Sequence, residues 1–276
     1  SLPGISVNIA ADQPRRVARN QLPAVLILGD QLIAGGGIAD DGGPRQRQGA
    51  HEYQHKDAVI MQHGGNHLIM DSRPETIRTS VEGSLKRLGT NYIDLYYQHR
   101  IDPNVAPEEV AGVMEELIKE GKIRAWGISE VNEEYLRRAH AVCPVTAIQN
   151  RYSMMARWYE PLFSVAEELG ISYIAFSPLG NGFLTGKYDN HTKFEEGNDF
   201  RSIMPQYTES GYEKGRELLT LLRDLAEKKH ATPAQISLAW MLAKKPFIIP
   251  IPGSRKPERL KENLGAAEIV LGKEEM

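Results

Sequence analysis

The sequence predicts a single α/β domain, residues 1–276, of the (β/α)8 barrel class. Three observations carry that expectation. From about residue 70 onward short apolar runs alternate with longer amphipathic segments, the rhythm of parallel strands joined by crossover helices. Counting DAVIM at 57–61, six strand-plus-helix units can be read, and two more in the first 56 residues would give eight in about the 250 residues such a barrel takes. No glycine-rich dinucleotide fingerprint stands at a strand-to-helix turn, which weakens a doubly wound open sheet as the alternative.

Taken in order, RPETIRTSVEGSLKRL at 73–88 has apolar residues at helical spacing, with Asp71 or Ser72 suited to cap it. The strand YIDLYYQ follows. APEEVAGVMEELIKEGK then starts a helix with Pro107 and two acids, favourable at the positive helix end, and stops at Gly121. Next come the strand IRAWGIS, the helix NEEYLRRAHAV, the strand VTAIQ, the helix YEPLFSVAEELG and the strand SYIAFS. A longer aperiodic segment separates these from the helices EKGRELLTLLRDLAEKK and TPAQISLAWMLAKK, the latter capped by Thr232 with Pro233 at its first position. The strand FIIPIPGS and the helix KPERLKENLGAAE complete the series. Residues 1–66 differ: they contain no Phe or Trp, carry the glycine runs AGGG and DDGG, and offer AVLILGD as one buried strand.

In a barrel of this kind the carboxyl ends of the strands form the mouth of the active site. The polar residues there are Gln98 and His99, Ser129 and Glu130, Gln149 and Asn150, Ser177, and Ser254. His99 has no companion at ligand spacing, and the H-x3-H pairs at 51–55 and 63–67 lie in the anomalous first quarter, so no metal is expected. Two segments suit phosphate. SPLGNGFLTGKY at 177–188 combines three glycines with Lys187, and PGSRKPERLKEN at 252–263 sets Gly253, Ser254, Arg255 and Lys256 at a helix start, with Arg259 one turn on.

The formal net charge of −3 gives no broad basic surface, so neither nucleic acid nor an anionic membrane is an expected partner. No apolar run approaches the roughly 20 residues of a membrane span. Cys143 is the one cysteine, and no secretory leader opens the chain, so a reducing cytoplasmic setting is expected. The oligomeric state is not legible.

From about Leu68 to Leu271 the sequence resembles the aldo-keto reductases, in the branch that reads YQHR at Tyr97–Arg100. The likeness rests on SRPETIRTSVEGSLKRLGTNYIDLYYQHRIDP, EELIKEGKIRAWGISE, FSPLGNGFLTGKY and IPGSRKPERLKENLGAA, in that order. It implies a (β/α)8 barrel that reduces aldehydes or ketones with NADPH by direct hydride transfer, without metal or flavin. It also implies a catalytic Asp, Tyr, Lys and His, the Tyr protonating the developing alkoxide and the Lys lowering its pKa. His99 falls on the family histidine. Ser129 and Gln149 would hold the nicotinamide carboxamide, with Asn150 adjacent, and Phe176 would stack on the ring. Ser177, Pro178, Leu179, Gly180, Gly182 and Leu184 would close over the pyrophosphate, with Lys187 and Arg201 nearby. Pro252, Gly253, Ser254, Arg255, Arg259, Glu262 and Asn263 would hold the adenosine end, Arg255 or Lys256 supplying the charge that favours NADP over NAD.

The first quarter departs from this pattern. Asp30, closing AVLILGD, fits the family aspartate; His63 stands where the lysine is expected, and Gly35 where the tyrosine is. Three readings stand open: residues 1–66 are misassigned, the chain is a cofactor-binding relative with little turnover that acts as a sensor or through partners, or His63 or Tyr53 serves in an altered role.

Overall fold

The computed structural model describes residues 62–64, 67–196 and 199–276. Asp30 and Tyr53, with the strands expected at 24–30 and 57–61, lie outside them. The elements are β1 (Gln62–Gly64), β2 (His67–Ile69), α1 (Pro74–Leu88), β3 (Tyr96–Gln98), α2 (Pro107–Lys119), β4 (Trp126–Ser129), α3 (Glu133–Val142), β5 (Ala147–Arg151), α4 (Leu162–Leu169), β6 (Ser172–Phe176), α5 (Glu209–Lys228), α6 (Pro233–Lys244), β7 (Ile248–Pro250) and α7 (Pro257–Leu264).

Strands β3 to β7 form a parallel sheet in their order along the chain. That monotonic order lacks the reversal that defines a doubly wound sheet, so the described strands wind one way, as in a barrel. Strands β1 and β2 pair separately as an antiparallel ladder.

Helix ends follow local chemistry. The Asn132 side chain accepts from Tyr135 N at 2.9 Å to start α3, and Thr232 with Gln235 forms a reciprocal capping box on α6. At α1 the expected cap is not used. Arg73 is the N-cap without a side-chain bond, and Asp71 instead accepts from Arg73 N at 3.1 Å and from Thr76 Oγ1 at 3.0 Å. The Arg73 guanidinium beside it, 2.6 Å away, holds the Asp71 carboxyl down at about 2.

The core lies between the sheet and α1 to α4, where Trp126, Ile128, Leu136, Ile148 and Leu117 are sealed from water. Outside a dense aromatic group of Tyr152, Phe163, Tyr173 and Trp240, a second cluster gathers Phe183, Leu184 and Tyr212 beneath the long β6–α5 connection.

Candidate active site

Strand alternation decides which strand-end residues reach the mouth. On β3, Tyr96 and Gln98 turn to the helices: Tyr96 OH donates to Ser80 Oγ at 3.0 Å, and Gln98 Nε2 donates to Ser72 Oγ at 3.2 Å and Tyr135 OH at 3.0 Å. Gln98 is therefore no mouth residue, contrary to expectation. Tyr97 takes the opposite face by alternation, and His99 directly follows the strand. Tyr97 pairs with Gly127 on β4, where a Cβ would meet the Tyr97 ring at 2.4 Å, so a side chain is excluded just below Ser129. Burial pushes the Tyr97 hydroxyl pKa up.

Register then places Ser129 opposite Gln149, and Arg151 opposite Phe176. Ser129, 1% exposed, donates to Gln149 O at 2.9 Å and accepts from Arg100 Nη1 at 3.2 Å. Asn150, the other half of the expected pair, turns away. Fully buried, its Oδ1 accepts from Val131 N at 3.2 Å and its Nδ2 donates to Val131 O at 3.0 Å, so it clamps the β4–α3 loop. Its place next to Gln149 in sequence puts it on the other face, which is why the adjacency misled.

A polar network surrounds this face. Glu130, at φ 55°, accepts from Arg151 N and from Tyr159 OH, each at 3.3 Å. Burial first, then the Glu130 charge, raises the Tyr159 pKa, while Arg100 and Arg151 oppose the rise. The Arg151 guanidinium lies 5.4 Å from the centre of the Phe176 ring. Arg151 and Tyr159 were missed from the sequence, although Arg151 follows Gln149 by two residues on one strand, the period that puts both on one face.

After β6 the chain makes a left-handed run: Ser177 (φ 52°), Gly180 (φ 56°), Asn181 (φ 58°) and Gly182 (φ 101°). Gly180 N donates to Ser177 O, and Gly182 N to Leu179 O, each at 3.0 Å, which folds Pro178 and its neighbours into a tight cradle. Gly182 sits where L side chains are strained, with Tyr188 Cε2 3.0 Å from the position of a Cβ. The side chain of Leu184, a residue of the segment expected to close over the pyrophosphate, is fully buried in the second cluster and anchors the loop. Lys187 is exposed, 5.8 Å from the Tyr188 ring centre. Arg201 is committed within the protein: it pairs with Asp199, donates from Nη1 to Tyr188 OH at 2.6 Å and stacks 4.4 Å from the Phe194 ring centre.

After β7, Pro252, Gly253 and Ser254 lead into α7, and Ser254 Oγ accepts from Lys256 N at 3.2 Å. Arg255 and Lys256 are exposed, and Arg259 and Asn263 half-buried. No ion pair within 4 Å engages Arg255, Lys256 or Arg259 among the described residues. The Glu262 carboxylate accepts from Thr232 Oγ1 at 2.7 Å, which turns it toward α6.

His63 does not close a parallel strand. Its backbone lies in β1, paired with Leu68 of β2, away from the parallel sheet. No group of three or more His, Cys, Asp or Glu among the described residues could hold a metal ion. No helix among them is long and apolar enough to cross a membrane.

The model of the Aldo/keto reductase family matches residues 56–276. The chain belongs to that family. It is 44% identical over 207 residues to the aldo-keto reductase str7 of Strobilurus tenacellus, covering 74% of this chain and 61% of that protein. It is 39% identical over 208 residues to the aldo-keto reductase yakc [NADP(+)] of Schizosaccharomyces pombe, covering 74% of this chain and 61% of that one. The glycerol dehydrogenase AKR11B4 from Gluconobacter oxydans superposes with a TM-score of 0.71 at 31% identity, over 79% of this chain and 66% of the other. A thermostable aldo-keto reductase, Tm1743, gives 0.59 at 31% identity, over 74% and 65%. The fold class is the (β/α)8 barrel of this family. The chain spans about three-fifths of the length of the curated relatives it matches.

Proposed function

We propose that this chain is an NADPH-dependent carbonyl reductase whose site is the face shared by His99, Ser129, Gln149 and Phe176. The observation that carries this reading is the register: strand pairing sets Ser129 beside Gln149 and Phe176 beside Arg151, at the end of the sheet where His99 directly follows β3. The donor set fits the cofactor. The Gln149 amide has no hydrogen-bond partner among the described residues, the Phe176 ring is half-exposed, and the left-handed Ser177–Gly182 cradle and the unpaired Arg255 stand at the two loops suited to phosphate. Ser129 and Gln149 would hold the carboxamide, Phe176 would cover the nicotinamide, and Arg255 with Arg259 would take the 2′-phosphate and adenosine end. Bound, the reduced nicotinamide supplies a hydride to the carbonyl carbon.

The chain's part is orientation and charge. His99 offers an imidazole N–H to the carbonyl oxygen, favouring its developing negative charge and fixing which face of the carbon is presented. Ser129 is oriented for its role because its hydroxyl hydrogen is committed to Gln149 O and its lone pairs face Arg100. A cytoplasmic setting goes with this reading, Cys143 being buried and unpaired.

A cofactor-binding relative with little turnover, acting as a sensor or through partners, is the second reading, and the antiparallel placement of His63 favours it. Titration of the full chain with NADPH by nicotinamide fluorescence, followed by NADPH oxidation with 4-nitrobenzaldehyde, separates the two. Binding with turnover supports the reductase, binding without turnover selects the second reading, and no binding refutes both.

A further inference from the structure

Arg100 closes the YQHR run and stands at the mouth with work left over. Its Nη1 donates to His99 O at 2.6 Å and to Ser129 Oγ at 3.2 Å, which uses one of the three nitrogens of the guanidinium. Among the described residues, Nε and Nη2 have no hydrogen-bond partner and no carboxylate pairs with the group within 4 Å. Both bonds are made by one end of the fork, so the opposite end is held in place and left open. The side chain is half-buried, so this is not a freely solvated surface arginine of the kind that waves in water at no cost.

A second half-buried cation shares the face. Arg151 donates its backbone N–H to Glu130, while its guanidinium has no side-chain hydrogen bond among the described residues, only the Phe176 ring 5.4 Å from it. Glu130 supplies one negative charge, and its carboxylate oxygens are occupied by Arg151 N and Tyr159 OH. Among the described residues, two guanidinium groups stand against one carboxylate on this face, which leaves a single net positive charge. Several other arginines, Arg78, Arg137, Arg138, Arg157 and Arg201, each pair with carboxylates. Charge left unmatched at the mouth, with an open planar fork, suits a planar monoanion better than a compact dianion.

Resting on the reductase reading, we infer that the substrate is a carbonyl compound bearing a carboxylate, which the open edge of Arg100 receives while Arg151 adds to the attracting field. The reacting carbonyl then sits between His99 and the nicotinamide side of the mouth, and the carboxylate is the handle that orients it. Arg100 is a specificity residue in this account, because it touches the part of the substrate that does not react.

The test is a binding measurement, so it does not depend on turnover. The full chain, with saturating NADP+, is titrated calorimetrically with benzoate and with benzamide, which carry no alcohol for NADP+ to oxidise and differ by the charge of the carboxylate. The wild type is expected to bind the carboxylate ligand at least about tenfold more tightly, the scale of one charge-assisted pair. Arg100→Met should cut that preference to less than about threefold, Arg100→Lys should retain part of it as a charge without the fork, and Arg151→Met should lower it by less than Arg100→Met does. Equal affinities in the wild type, a preference that survives Arg100→Met, or no binding of either ligand overturns the proposal. Oxidation of NADPH by 4-carboxybenzaldehyde is followed separately: its absence alongside a carboxylate preference would refute the reductase reading and leave the anion site standing.

Discussion

Gly127→Ala is the substitution that the geometry of the mouth condemns most directly. An added Cβ would lie 2.4 Å and 2.8 Å from two atoms of the Tyr97 ring and 2.6 Å from the Ala147 carbonyl oxygen. Carbon atoms in favourable contact sit about 3.5–4.0 Å apart, so the ring would have to retreat by about 1 Å. The carbonyl cannot retreat at all without disturbing the ladder, because it belongs to β5, which pairs with β4 on one side and β6 on the other. Overpacking of this kind costs about 1–3 kcal/mol, and a clash with backbone as well as ring puts Gly127→Ala at the upper end, about 3 kcal/mol. With a urea slope of roughly 3 kcal/mol per molar, the unfolding midpoint should fall by about 1 M at unchanged slope. Adding Tyr97→Ala removes the ring contacts and leaves the carbonyl one, so it should restore only part of the loss. A midpoint for Gly127→Ala indistinguishable from wild type would refute the β3–β4 register, and with it the placement of Ser129 beside the His99 face.

Three further outcomes follow from the same structure. Asn150→Ala strands both backbone groups of the buried Val131, each worth about 1–3 kcal/mol when unpaired, so thermal unfolding should show a loss of about 2–6 kcal/mol; an unchanged midpoint would mean the clamp is absent. Asp71, held at about 2 against an ordinary 3.8, contributes stability that is present above about pH 4 and lost as the pH falls through 2. Because the Arg73 partner is 57% exposed, screening reduces the contribution to about 1–2 kcal/mol. Stability curves between pH 4 and 2 should accordingly flatten in Asp71→Asn, and curves parallel to wild type would contradict the ion pair. Arg255→Ala should weaken NADPH binding by about tenfold while NADH affinity stays level, as fluorescence titration would show; equal losses for both cofactors would misplace the 2′-phosphate.

The sequence revealed most where periodicity and turn chemistry act together. Helices α2, α3 and α6 begin where proline and the Asn132 or Thr232 caps put them; β3, β4, β6 and β7 lie inside runs quoted from the sequence, and β5 continues two residues past its own, to Arg151. The (β/α)8 expectation stands because hydrophobic alternation sets the layers and short connections set the order. What failed was face. Adjacent polar residues at a strand end belong to opposite sides, so Gln98 and Asn150 spend their side chains on Ser72, Tyr135 and Val131 behind the sheet, the face that the neighbouring Gln149 does not share. Arg201 had the charge for an anion yet spends it on Asp199 and Tyr188, a tertiary match that no local pattern records. The Leu184 side chain lies in the second hydrophobic cluster. The aperiodic stretch after β6 became a run of left-handed turns and short 3-10 helices whose path depends on backbone conformations spread over several residues.

The central claim is that the β3–β6 mouth binds a reduced nicotinamide and delivers it to a carbonyl. Oxidation of NADPH by the full chain with 4-nitrobenzaldehyde, followed by nicotinamide absorbance alongside His99→Ala, tests it most directly. The account predicts saturable turnover that His99→Ala lowers by about 10²–10³-fold, the range typical of losing one donor to a developing oxyanion. Turnover that survives His99→Ala unchanged, or no oxidation by the wild type, would contradict it.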